Sequence, residues 1–123
     1  MLNAGVFDDF KNAKTTLLLW GDEEGMAVLF AGLSALRVGN CDEFGVDGAD
    51  TPLTVCLVSG KTQSSTLRKK EDGVRWECSQ DTVELAADLV EPLLRVAGHQ
   101  FLDITGLAEQ VIIARDEYPA DLR

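Results

Sequence analysis

The chain is poor in the residues that most often announce a chemistry. Its 123 residues include one histidine, one tyrosine, three prolines and three cysteines. A lone histidine, His99, leaves any Ser-His-Asp or Cys-His arrangement with a single candidate base. Cys41, Cys56 and Cys78 are odd in number, widely spaced and free of any C-x-x-C pair. A zinc site needs about four clustered ligands, and this set does not supply them. The cysteines read instead as reduced, buried small hydrophobes. Phosphate-cradling glycine motifs and the G-x-S-x-G elbow are missing as well. Long apolar runs are absent too: Thr16–Trp20 and Val111–Ala114 are far shorter than the roughly 20 residues of a membrane span. The start M-L-N-A-G-V-F-D-D-F has no basic segment leading into an apolar core, so no signal peptide is expected. The expected location is the cytoplasm.

Cations are scarce. Eleven Lys and Arg stand against 21 Asp and Glu, a net charge of −10. The sequence pI is about 4.4. Such a surface repels phosphate backbones and anionic lipid, so neither nucleic acid nor a membrane is an expected partner. A basic protein partner fits it, because complementary fields speed association. Solubility alone is the competing explanation.

What is present is a core. A hydrophobic fraction of 46% and a mean hydropathy of +0.01 belong to a globular chain of one domain. Residues 1–14 place Val6, Phe7 and Phe10 around two aspartates, which fits one helical turn or an irregular arm. Thr15–Trp20 reads as a strand. Asp22 then caps a helix whose apolar stripe is Met26, Leu29, Phe30, Leu33 and Leu36, and Gly39 stops it. Asn40–Asp50 reads as a loop. Its D-G-A-D invites a calcium reading, but with Gly48 as the loop glycine Gly45 and Thr54 fall where ligands are needed. No metal and no cofactor are expected.

Leu53–Ser59 is a nearly continuous apolar strand. Asp72-Gly73 joins two further strands in a tight hairpin, with Val74, Trp76 and Cys78 turned inward. Arg68, Lys69 and Lys70 on the first arm guard an edge against aggregation. Ser79 caps a second helix with an apolar face of Val83, Ala86, Ala87, Val90, Leu93, Leu94 and Ala97, widened by Leu85 and Leu89. Pro92 should kink or divide it. His99–Ile104 and Gln110–Arg115 are the last two strands. A loose internal echo sets Leu18-Leu19-Trp20 before the first helix against Val74-Arg75-Trp76 before the second.

The frame W-E-C-S-Q-D, an apolar helix, then G-H-Q-F-L-D-I and V-I-I-A-R-D-E-Y-P spans residues 74–119. It resembles small bacterial single-domain proteins, some of them similar to immunity proteins that neutralise polymorphic toxins. That resemblance implies an acidic inhibitor of one cognate toxin and fixes no binding residue.

The expected fold is one α+β domain over 1–123, with residues 1–14 as an arm. Two main helices pack on one face of a largely antiparallel sheet of five to seven strands. Trp76, Leu89, Leu93, Phe101 and Ile113 are expected to be buried. The expected function is an acidic protein-binding module, an immunity-like inhibitor of a basic partner. The candidate binding residues are Asp22, Glu23, Glu24, Asp42, Glu43, Asp47 and Asp50, provided they form one face. The alternatives are a small homodimeric assembly protein and, less favoured, a small enzyme using His99 with a carboxylate. Asp103 lies four residues, about 13 Å, along the strand from His99, too far for a direct orienting bond.

Overall fold

Both helices begin where the sequence places a cap. A computed structural model describes residues 1–8, 10, 14–46, 51–59 and 65–117. The Asp22 carboxylate accepts from the Gly25 N–H, opening α1 (Glu23–Val38), and Gly39 ends it in the left-handed region at φ 82°. Ser79 accepts from the Thr82 N–H and opens α2 (Gln80–Val90). Pro92 divides the second helix: α2 stops at Val90, and a 3₁₀ turn follows over Glu91–Leu94.

The strands are β1 (Leu2–Phe7), β2 (Thr16–Gly21), β3 (Glu43–Val46), β4 (Leu53–Leu57), β5 (Thr66–Lys70), β6 (Gly73–Cys78), β7 (Gly98–Asp103), β8 (Thr105–Gly106) and β9 (Gln110–Arg115). They form two mixed sheets, β1-β2-β9-β7 and β3-β4-β6-β5-β8. The class is α+β with two helices, as expected, but the single, largely antiparallel sheet is not. β2 runs parallel to β9, and β4 runs parallel to β6. Both parallel pairs are central and join segments far apart in sequence, so no local turn signal announces them. Residues 2–7, expected as an arm or helical turn, are a strand, and β3 lies inside the expected loop.

The connectivity has an internal two-fold. β1-β2-α1-β3-β4 is matched by β5-β6-α2-β7-β9, and each half donates its last two strands to the other half's sheet. β4 lies beside β6, and β9 lies beside β2. α2 begins 57 residues after α1, Gln80 against Glu23. The same offset superposes the buried stripe Met26, Leu29, Leu33, Leu36 on Val83, Ala86, Val90, Leu93. It also pairs Leu19 with Trp76, both in the main core, and Trp20 with Glu77. The sequence echo that aligned Trp20 with Trp76 is therefore one residue out. A slip of one places a strand residue on the opposite face.

One core joins the inner faces of both sheets to the helices, with Leu17, Leu19, Val111 and Ile113 from one sheet and Leu53, Val55, Val74 and Trp76 from the other. The helices run antiparallel. The Arg37 carbonyl, late in α1, accepts from Gln80 at the start of α2, and Arg115 links Glu23 to the Leu93 carbonyl at the other end. A smaller cluster, Leu18, Trp20, Ile112, Ala114 and Phe10, covers the outer face of the four-stranded sheet. There the buried Gln110 amide donates to the Thr16 hydroxyl at 2.9 Å.

Of the five residues expected inside, Trp76, Leu93 and Ile113 are buried and Leu89 is partly so. Phe101 is 66% exposed. It lies opposite Ile112 on the outer side of the sheet, and Leu102 faces the core in its place. β9 is apolar on both faces, so its pattern does not reveal which face its neighbour shares.

Candidate binding surface

The predicted acidic residues fall into two groups at opposite ends of α1. Asp22 caps the helix, and Glu23 and Glu24 fill its exposed first turn. The Met1 ammonium is hydrogen-bonded to the Asp22 carboxylate. That bond, then the Gly25 N–H, holds the Asp22 carboxyl below its ordinary value of 3.8. Asp42 and Glu43 lie past the other end of the helix, and Arg75 stands 3.6 Å from Glu43. The five predicted acidic residues that are described lie in two groups rather than on one face. Asp47 and Asp50 lie outside the described residues.

The strand pairing adds members that sequence spacing missed. Gly21, the last residue of β2, lies beside Arg115, the last residue of β9, and the Asp116 N–H donates to the Gly21 carbonyl at 2.8 Å. Asp116 takes φ 59°, a left-handed conformation in which a non-glycine residue is uncommon. The Arg115 side chain is 13% exposed. It donates to the Leu93 carbonyl at 3.0 Å and to Asp116 at 3.3 Å, and stands 3.9 Å from Glu23. Asp22, Glu23, Glu24, Ala27, Arg115 and Asp116 line one cleft of about 600 Å³. Beside it, Asn3, Trp20, Asp22, Asp116 and Glu117 line a smaller one of about 220 Å³.

The internal two-fold relates this end to another. The Val58 N–H donates to the Cys78 carbonyl at 2.9 Å, the counterpart of the Asp116 bond. A hollow of about 630 Å³ there is lined by Asp42, Leu57, Val58, Ser59 and Gln80. Among the described residues one end of the repeat is therefore acidic, and the other carries a single carboxylate in its lining.

α2 connects the two groups. Asp81, Glu84 and Asp88 are exposed and lie on one line of the helix by their spacing of three and four, and exposed Glu91 continues the row at the start of the 3₁₀ turn. The row starts near Asp42, whose hollow Gln80 also lines, and ends toward the Glu23 end. Gln80 donates to Glu84 at 3.0 Å, and Arg37 stands 3.9 Å from Asp88. This row was legible in the sequence, because acids at i, i+3 and i+7 share a helix face.

Next to the row, α1 turns outward a side that carries no charge beyond Glu24 in its first turn. Ala27, Val28, Ala31 and Val38 share it, with Val28 55% and Val38 64% exposed. Leu85 is exposed on α2. The sequence reading had placed Leu85 and Ala97 on the buried face; both are at the surface.

His99 pairs with a carboxylate other than Asp103: its Nδ1 lies 2.8 Å from Glu117. Glu117 reaches it because β9 lies beside β7. Cys56 and Cys78 are buried, and burial pushes both thiols above the usual thiol range. Among the described residues no three His, Cys, Asp or Glu are arranged to hold a metal ion, and no helix is long and apolar enough to cross a membrane.

Searches of family models, curated proteins and solved structures find no match to this chain. The functional reading therefore rests on its own surface.

Proposed function

We propose that the protein is an acidic protein-binding module, an immunity-like inhibitor of one basic partner. The observation that carries the reading is the outer layer of the two helices. An exposed apolar strip on α1, Val28 to Val38, runs beside the row Asp81, Glu84 and Asp88 on α2, continued by Glu91. A protein surface with an apolar centre and a Lys/Arg border complements both parts. Apolar contact supplies most of the affinity of such a pair, and the charges supply orientation and speed. The net charge of −10 extends the same field over the molecule. The inhibitory half of the proposal rests on the resemblance of residues 74–119 to immunity proteins alone.

The test is a pull-down from the source cell at low and high salt, with the wild-type chain and with Glu84→Lys/Asp88→Lys as bait. A basic protein should be captured at low salt and released at high salt, and the reversed variant should not capture it. With the partner in hand, the association rate should fall steeply with ionic strength. The variant should melt near wild type, because exposed charges contribute little to folding. Capture of no basic protein, or capture indifferent to the reversal, rejects the helical layer as the binding surface.

A further inference from the structure

The edge of the four-stranded sheet is self-complementary. β7 ends the order β1-β2-β9-β7, and among the described residues no backbone hydrogen bond is made along its other edge. Natural edges are usually blunted by lysine, proline, a bulge or extreme shortness. β5 follows that rule with Arg68, Lys69 and Lys70, and only the two residues of β8 cover it. β7 has none of these devices. Its sequence is G-H-Q-F-L-D, six residues long, and its outward side carries His99, Phe101 and Asp103, all exposed.

We infer that β7 pairs with β7 of a second copy of this chain, antiparallel, about a two-fold axis through Phe101. Such an axis, perpendicular to the sheet, keeps each residue on its own face, so every residue must meet one of the same parity. Two registers then pair most of the strand. Centring on Gln100 sets Phe101 against His99 of the second copy and leaves Asp103 facing Ala97. Centring on Phe101 sets the two Phe101 rings side by side, Gln100 against Leu102, and His99 against Asp103 of the second copy on both sides of the axis. Cross-strand aromatic pairs stabilise adjacent strands, and the Asp103 carboxylate can accept a hydrogen bond from the His99 ring, so the second register is favoured. Glu117 already engages His99 Nδ1, and Asp103 of the second copy would engage Nε2. The pairing joins two four-stranded sheets into one of eight and covers Phe101, the most exposed aromatic ring among the described residues. It uses the sheet edge and outer face, whereas the helices pack on the inner face, so this inference stands apart from the helical-layer proposal.

Sedimentation velocity over about 1 µM to 1 mM, the range of small interfaces, tests it on the full chain. The wild-type chain should pass from monomer to dimer, and Phe101→Arg should remain monomeric with an unchanged monomer melting temperature. Asp103→Lys should raise the dissociation constant about tenfold, because it removes the acceptor opposite His99 twice. The double substitution His99→Asp/Asp103→Lys sets opposite charges against each other in this register alone and should recover most of the lost affinity. As a check independent of these substitutions, Phe101→Cys should form a cross-linked dimer under mild oxidation, and Val28→Cys on α1 should not. A wild-type chain monomeric throughout, or a dimer indifferent to Phe101→Arg, overturns the interface. A double substitution that fails to recover affinity overturns the register.

Discussion

At the scale of single residues, several side chains are held in conditions that no sequence pattern states. Gly32 sits on α1 where an added Cβ would lie 2.7 Å from the Phe44 ring, so the glycine is what lets β3 approach the helix. Cys78 is wholly buried, with its thiol 3.8 Å from the Trp76 carbonyl. Burial is the main cause that raises its pKa above the ordinary 9.0, and nearby Cys56 adds to it. The consequence for stability has a definite sign. The folded chain keeps the thiol proton where the unfolded chain releases it, so the unfolded state binds fewer protons above the ordinary thiol range. The contribution is fully present below about pH 9 and is lost as the pH rises, by at most about 1.4 kcal/mol per pH unit for one thiol. Cys56, also raised by burial, acts in the same direction. Urea midpoints from about pH 7.5 to 10 should therefore fall more steeply for wild type than for Cys78→Ala. Parallel slopes for the two proteins would show that the buried thiol is not the source.

At the scale of elements, legibility followed distance along the chain. The caps Asp22 and Ser79, the Gly39 stop, the Asp72-Gly73 hairpin and the break at Pro92 are local devices, and each was readable from neighbours a few residues away. The β2–β9 pairing joins Thr16 to Gln110, and nothing near either residue encodes it. The acidic cleft suffers the same loss, since Asp22 and Asp116 meet only through that pairing. Phase failed where both faces are apolar: V-I-I-A in β9 left Phe101 free to be read inward. The internal offset of 57 residues gives α2 a sharper test than its apolar stripe alone. Leu93 lies beyond Pro92, in the 3₁₀ turn, yet it takes the place Leu36 holds in α1 and is 3% exposed. Leu93→Ala should cost about 2–5 kcal/mol, as for other buried leucines. Leu85→Ala, on the outward side, should stay within about 0.5 kcal/mol of wild type. Equal effects in urea denaturation would mean that the face of α2 is misassigned.

At the scale of the whole molecule, the exchange of last strands decides how the chain folds. Each sheet takes two strands from the first half and two from the second, with β8 added to one of them. A half by itself keeps its hairpin, its helix and its final strand pair, but it loses the parallel neighbours that join them into a sheet. The first half without β9 and β6 leaves the inner edges of β2 and β4 unpaired and exposes Leu17, Leu19, Leu53 and Val55. Unpaired backbone and uncovered apolar area both oppose folding, and a piece of this size has little core to offset them. The halves are complementary, however, because every strand missing from one is present in the other. Separate peptides covering 1–59 and 65–123 should therefore each lack the near-ultraviolet circular dichroism of Trp20 and Trp76 in a packed core. Mixed in equal amounts, they should recover it, and the recovered signal should depend on peptide concentration because a bimolecular association replaces a loop closure. A first-half peptide that shows native-like dichroism and cooperative melting by itself would mean that the exchanged strands are an ornament of the fold. Failure of the mixture to recover any signal, with both peptides soluble, would mean that the covalent connection after Ser59 is needed to align β4 with β6.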